Sequence, residues 1–119
     1  MSRDESAIAS VSFQVSLETR DGLRSCVCGE DEYVWDAAAR IGIVLPAICH
    51  QGRCLTCAGK LLSGTVDQED AVSYFPEDRT AQFILLCRAK PLSDLRIRTH
   101  QEWAMRSHRL AHGLPAPYA

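Results

Sequence analysis

The sequence has 119 residues and a formal net charge of −2, which suits a single domain with one modest hydrophobic core and leaves no room for a second. Hydrophobic residues make up 46% and charged residues 24%, a balance typical of folded globular proteins and not of disordered tails. The sequence contains no basic stripe interleaved with aromatic residues and no apolar run long enough to cross a bilayer, so we expect neither nucleic-acid binding nor membrane insertion.

The N-terminal segment gives the first indication of where the protein acts. It carries Asp4 and Glu5, and it has neither the apolar core of a secretory signal nor the acid-poor composition of a transit peptide. We therefore expect a cytoplasmic protein whose residues 1–9 form a flexible terminus.

A β-hairpin is predicted directly after this terminus. Apolar and polar side chains alternate over residues 11–18, which is the period of two of a half-buried strand. Asp21 and Gly22 then favour a tight turn, and residues 23–28 run back as the second strand. Cys26 and Cys28 lie two apart on that strand and share one face, so we interpret them as buried structural thiols, with a redox or metal role for the pair as the alternative.

A helix and an irregular loop follow the hairpin. Acidic residues gather from Glu30 onward, where a helix N-terminus favours them, and apolar residues recur at helical spacing from Tyr33 to Ile41. Gly42 is predicted to end the helix. Residues 46–57 are rich in turn residues and thiols and show no period, which indicates a loop wrapped around a bound group.

The later elements are short. We predict strands over residues 58–62, 83–87 and 95–99, and a short helix over residues 68–75 that Pro76 stops. Residues 101–110 are predicted to form a terminal helix, which we interpret as solvated, although metal binding through its histidines is the alternative. Gly113, Pro115 and Pro117 indicate a frayed tail beyond it.

Four of the six cysteines have a diagnostic spacing. They fall as Cys49-x4-Cys54-x2-Cys57, followed at a distance by Cys87, which is the plant-type spacing of 2Fe-2S ligands. A zinc site normally repeats a Cys-x2-Cys pair on both sides, and disulfides would conflict with the missing secretion signal. Zinc and disulfides remain as weaker alternatives to a 2Fe-2S cluster.

The residues around these cysteines resemble a known family. Residues 45–60 (LPAICHQGRCLTCAGK) are similar to the cluster loop of plant and cyanobacterial 2Fe-2S ferredoxins, and residues 30–38, 64–68, 86–89 and 99–102 are similar to its flanking elements. The resemblance implies an α+β, β-grasp fold in which a mixed sheet packs on one main helix. The ferredoxin domain would span residues 10–102, and residues 103–119 would add a C-terminal helix and tail.

The resemblance also implies a function. The chain would be a one-electron carrier and not an enzyme, holding a low-potential 2Fe-2S cluster on the four spaced cysteines. It would work as a monomer between a flavin-dependent ferredoxin reductase and acceptor redox enzymes. A nucleophile paired with a base, a phosphate loop and a carboxylate pair are all missing from the sequence. Two alternatives stay open, namely a subunit fixed in an oxygenase or other redox complex and an iron-sulfur sensor.

Two departures from the family concern the potential and the docking surface. Ile48, Arg53 and Leu55 replace small polar residues of the family's loop, and Leu55 removes the serine that usually partners the carboxylate matched here by Glu102. We expect partners to dock through acidic residues and one aromatic residue, and the alternative is docking through apolar contacts such as Leu55 and Tyr74. These predicted docking residues are Asp67, Glu69, Asp70, Tyr74, Glu77, Asp78 and Glu102.

Overall fold

The computed structural model describes residues 11–118, so the expectation of a flexible terminus over residues 1–9 lies outside the described residues. The strands are β1 Ser12–Thr19, β2 Gly22–Gly29, β3 Ala58–Ser63, β4 Val66–Asp67, β5 Phe83–Leu85, β6 Lys90–Pro91 and β7 Leu95–Arg98. Five of them form a mixed sheet in the order β2-β1-β7-β3-β5, and β4 pairs with β6 in a two-stranded ribbon. The helices are α1 Val34–Arg40, α2 Pro76–Thr80 and α3 Glu102–Ala111, with a 3-10 turn at Leu86–Arg88.

The predicted hairpin is confirmed. β1 and β2 pair antiparallel from Ser12 opposite Gly29 to Thr19 opposite Gly22, and Gly22 takes a left-handed φ of 106° in the turn. Val15 and Leu17 face the core on one side of β1, as the alternation predicts. β7 then joins β1 in parallel and β3 antiparallel, so the sheet is mixed.

The main helix and the sheet enclose one core. α1 buries Val34, Ala37 and Ala38, and it ends just before Gly42, as predicted. Cys26 and Cys28 are buried on β2, as predicted, and their structural role remains a prediction. Burial raises the pKa of Cys28 to about 12, so this thiol stays protonated. A mixed sheet carrying one main helix confirms the β-grasp prediction.

The prediction of a helix over residues 68–75 was wrong. The chain there is irregular, and helix α2 begins at Pro76, the residue taken as its stop. Proline suits the first turn of a helix because its missing N–H has no partner there in any case. The carboxylate of Asp78 then accepts a hydrogen bond from the backbone N–H of Phe75 at 3.0 Å, which fixes the start of the helix.

The strand predicted over residues 83–87 is shorter than expected. It ends at Leu85, and residues 86–88 form the 3-10 turn, which carries Cys87 out of the sheet and toward the loop of residues 46–57. The strands predicted over residues 58–62 and 95–99 are confirmed as β3 and β7.

Helix α3 is present where the sequence predicted it, but the interpretation of this helix as solvated was wrong. Met105, Arg106 and Arg109 are buried, and Arg109 and Asp78 are both 0% exposed. Nε of Arg109 lies 3.0 Å from each carboxylate oxygen of Asp78, and His108 Nε2 lies 3.1 Å from Asp78 Oδ1. An ion pair thus joins α3 to α2 inside the protein.

The tail beyond α3 is packed, which corrects the prediction that it is frayed. Arg109 donates to the carbonyl of Pro115 at 2.8 Å, and Arg106 donates to the carbonyls of Ala116 and Pro117. The guanidinium of Arg106 also lies 3.7 Å from the centroid of the Tyr118 ring, within the range of cation–π attraction. Two buried arginines therefore hold the tail against the helix. Within residues 11–118, every helix is too short or too polar to cross a membrane.

Candidate iron-sulfur site

The loop of residues 46–57, here called the thiol loop, depends on two left-handed residues. His50 has a φ of 56° and Gly52 a φ of 71°. A Cβ atom at Gly52 would lie 2.6 Å from Cα of Ala71, so only glycine allows the two backbones to approach this closely. The thiol loop is thereby folded directly onto residues 71–73.

Backbone hydrogen bonds fix the thiol loop in place. The N–H of Val72 donates to the carbonyl of Gln51, and the N–H of Ser73 donates to the carbonyl of Gly52, each at 2.9 Å. From the other side, Nε of Arg88 donates to the carbonyl of His50 at 3.0 Å. The loop is thus irregular but braced on two sides.

The structure brings the four spaced cysteines together. The Sγ atoms of Cys57 and Cys87 lie 3.2 Å apart, although 30 positions separate them in the chain. Sγ of Cys49 accepts hydrogen bonds from the N–H groups of Gln51 and Cys54, each at 3.4 Å. Cys54, Cys57 and Cys87 are buried, and Cys49 is half-buried at the surface of the loop.

The thiols differ in their readiness to ionise. Burial opposes ionisation of Cys49, but N–H groups of Cys54, Gln51 and Arg53 outweigh it and lower the pKa of Cys49 to about 6. The Cys57 thiol donates to Cys87, which raises the pKa of Cys57 and lowers that of Cys87. Because metals bind thiolates, Cys49 is ready to coordinate iron near neutral pH.

These residues fit a 2Fe-2S cluster. Cys57 and Cys87 form one pair of sulfurs, and the backbone N–H of Cys54 donates to Sγ of Cys49, which brings the other two cysteines together and suits a group held by two pairs of thiolates. Within residues 11–118, no three His, Cys, Asp or Glu side chains converge on the position of a single ion. Thr56 Oγ1 is buried and has no hydrogen-bond partner in that range, so it is available to a sulfur atom of a bound group.

The structure corrects part of the predicted docking surface. Asp78 is fully buried in its ion pair with Arg109, so it cannot meet a partner. Leu55 is also buried and cannot offer an apolar contact. Tyr74 is half-buried, and its hydroxyl donates to the carbonyl of Phe83. This hydroxyl is already used inside the fold.

The other acidic docking residues reach the surface, but two of them are already paired. Asp70 accepts a hydrogen bond from the Tyr33 hydroxyl at 2.7 Å and forms an ion pair with Lys90 at 3.2 Å, and these contacts lower the pKa of Asp70. Glu102 pairs with Arg106 at 3.1 Å. Asp67 is half-buried, and Glu69 and Glu77 are exposed.

One residue of the site was missed at the level of sequence. Arg88 follows the predicted ligand Cys87 directly and contacts the thiol loop. A basic side chain next to a predicted ligand was the available signal. Its target could not be foreseen, because the contact to His50 spans 38 positions of the chain.

The comparisons with known proteins agree with this geometry. Residues 18–92 match the family model described as a 2Fe-2S iron-sulfur cluster binding domain. A protein named Ferredoxin-2 from Synechococcus sp. is 42% identical over 90 residues, which cover 76% of this chain and 86% of the relative. A protein named heterocyst ferredoxin from Microchaete diplosiphon is 44% identical over 92 residues, covering 76% of this chain and 93% of the relative.

Among solved structures, pectocin M2 is similar with a TM-score of 0.69 and 32% identity, over 76% of this chain. This chain spans only 33% of the pectocin chain. The comparisons and the paired thiols thus indicate the same kind of centre.

Proposed function

The chain belongs to the 2Fe-2S ferredoxin family, and on that basis we propose that it is a soluble, cytoplasmic one-electron carrier in which Cys49, Cys54, Cys57 and Cys87 hold the cluster. The observation that supports this most strongly is that three of these cysteines lie in the braced thiol loop and that Cys87, from the 3-10 turn, meets them there. When bound, the cluster accepts and returns one electron. We propose that the chain carries electrons without catalysing a reaction of its own, with its ferredoxin domain over residues 10–102 and an added helix and tail over residues 103–119.

The residues of the site provide insulation and access. Cys54, Cys57 and Cys87 are buried, so the protein keeps water away from most of the ligand sulfurs. Cys49 lies half-buried at the loop surface, beside the exposed side chain of Ile48. An electron can therefore leave over the thiol loop, where a partner's cofactor can approach closely.

The first test of this function is a reduction titration followed by visible absorption and electron paramagnetic resonance. Four thiolates leave the centre strongly anionic, so we expect a one-electron midpoint near the roughly −400 mV of plant-type centres. Arg53 within the thiol loop and Arg88 beside it add positive charge near the site, which favours a midpoint at the less negative end of that range. A midpoint above about −150 mV, where histidine-ligated centres begin, would contradict four-thiolate ligation.

For partners, we propose a flavin-dependent ferredoxin reductase as donor and redox enzymes as acceptors, each meeting the chain as a monomer. A ferredoxin reductase in carbazole 1,9a-dioxygenase has a TM-score of 0.59 and 33% identity to this chain, which spans 28% of it. The contact face that we propose is the thiol loop together with Ile48 and Val72. These two apolar side chains are exposed and can contact a partner, whereas Leu55 is buried and cannot. The acidic surface beside it consists of Asp67, Glu69, Asp70, Glu77 and Glu102.

The acidic surface should steer a basic partner at long range, so added salt should slow reduction by the reductase. We expect an Asp67→Asn, Glu69→Gln, Asp70→Asn variant to react about three- to tenfold more slowly at low salt and to depend less on salt. Stopped-flow reduction by a cognate reductase measures both effects.

A charge-matched variant, Asp21→Asn, Glu30→Gln, Asp36→Asn, serves as the control because these acidic residues lie outside the proposed surface. If all three proteins react alike at low salt and none responds to added salt, docking depends on apolar contacts alone. A chain that copurifies in fixed stoichiometry with one enzyme would instead support the alternative of a subunit in a larger redox complex.

A further inference from the structure

Arg88 holds a positive charge at the edge of the thiol site. It follows Cys87 in the 3-10 turn, and its Nε donates to the carbonyl of His50, the residue after Cys49. The guanidinium therefore bridges the two chain segments that supply the first and last cluster ligands. We propose that Arg88 sets the reduction potential of the cluster by fixing a permanent positive charge beside it, an inference that depends on the proposed function.

Three contacts hold the Arg88 side chain in one place. Besides the bond to His50, its NH1 group lies 3.3 Å from the Tyr33 hydroxyl, and its Cζ lies 5.3 Å from the centroid of the Tyr33 ring. Its stem passes close to Gly52, since a Cβ atom built there would lie 3.1 Å from Cγ of Arg88. A half-buried arginine held in this way cannot swing out to solvent without losing all of these contacts.

Arg88 has no direct ion-pair partner among the described residues, although its charge contributes to lowering the pKa of Asp70. Within residues 11–118, no carboxylate lies at salt-bridge distance from Arg88. The nearest acidic group in its network, Asp70, contacts the same Tyr33 hydroxyl but is paired with Lys90 at 3.2 Å. Arginine stays protonated throughout the accessible pH range, so the charge is permanent.

Such a charge acts differently on the two redox states. Reduction adds one negative charge to the centre, and a nearby cation stabilises the more negative state. The neighbouring backbone keeps the guanidinium in place, and partial burial limits screening by salt. Arg88 should therefore raise the potential, whereas a mobile surface arginine would have little influence.

The test compares the midpoint potentials of four cluster-loaded variants with that of the wild type. Arg88→Gln and Arg88→Met remove the charge, and Met also keeps an apolar stem against Gly52. Arg88→Lys keeps the charge. Arg96→Gln is the matched control, because it removes one positive charge from an exposed arginine of β7 that is paired with Glu18 at 2.9 Å.

We expect the neutral variants at position 88 to lower the equilibrium constant for reduction by about three- to tenfold, which is a downward shift of about 28 to 59 mV for one electron. For Arg88→Lys and Arg96→Gln, the equilibrium constant for reduction should stay within about twofold of the wild-type value. Visible absorption confirms in each case that the cluster is intact.

Three results would overturn the inference. The first is a neutral variant whose equilibrium constant for reduction stays within twofold of the wild-type value. The second is an Arg88→Lys variant whose midpoint potential falls as far as that of the neutral variants, because the effect would then come from the lost contacts and not from the charge. Third, if the neutral variants hold no cluster, Arg88 is needed to bind the cluster and the inference about the reduction potential fails, whether or not Arg88→Lys holds one. A wild type without a 2Fe-2S cluster would refute the proposed function itself.

Discussion

Replacing any one of Cys49, Cys54, Cys57 and Cys87 with serine should abolish stable cluster binding, whereas the double variant Cys26→Ser, Cys28→Ser should keep it. We expect the wild type to contain about two iron atoms and two acid-labile sulfides per chain. The single variants should contain well under half of that iron and lose the visible absorption. The reason is that each iron depends on one pair of thiolates, and a lost thiolate leaves that iron with a single protein sulfur.

Iron and sulfide analysis of the purified proteins, with absorption spectra, measures this effect. The double variant is a matched control because Cys26 and Cys28 are also buried thiols, but they lie on β2 beneath α1. Retention of a normal cluster by Cys87→Ser together with its loss in the double variant would show that the ligands have been assigned wrongly.

The second large effect should come from Asp78, at a distance from the proposed chemistry. Asp78→Ala leaves the buried guanidinium of Arg109 without its partner, and breaking a buried ion pair in this way costs about 3–5 kcal/mol. For a domain of this size, we expect the apparent melting temperature to fall by on the order of 10 °C or more. Thermal unfolding of the cluster-loaded protein, followed by circular dichroism, measures the loss.

Glu77→Ala is the control for this prediction, since Glu77 is the exposed acidic neighbour of Asp78 in the same helix. A surface change of this kind normally alters stability by less than about 0.5 kcal/mol. If Asp78→Ala melts within about 2 °C of Glu77→Ala, the buried pair contributes little, and α3 must be held by its other contacts.

The features that the sequence predicted well are those encoded locally. Alternation over residues 11–18 and the Asp21-Gly22 turn specify the hairpin without help from the rest of the chain. The cysteine spacing likewise specifies the kind of site, because three thiols in one loop and a fourth far along the chain suit a compact iron pair. The assignment of the individual ligands remains a prediction.

The features that the sequence did not predict depend on tertiary contacts. Asp78 and Arg109 are residue types typical of a solvated surface, and only the packing of α3 on α2 makes them buried partners, while Arg106 is buried against the tail. The same packing orders the tail, which composition alone indicated as frayed. Pro76 was ambiguous because proline both stops helices and starts them, and the deciding contact of Asp78 with Phe75 needed a structure.

The position of β7 in the sheet has a consequence for biosynthesis. β7 is the last strand in the described chain, yet it lies between β1 and β3, and it is the strand that joins the early hairpin to the β3–β5 half. While the ribosome is still making residues before 95, the hairpin can form but the two halves of the sheet have nothing to connect them. We therefore expect the sheet that supports the thiol site to close only after β7 has been translated, so iron and sulfide would enter a chain that already extends at least to Arg98.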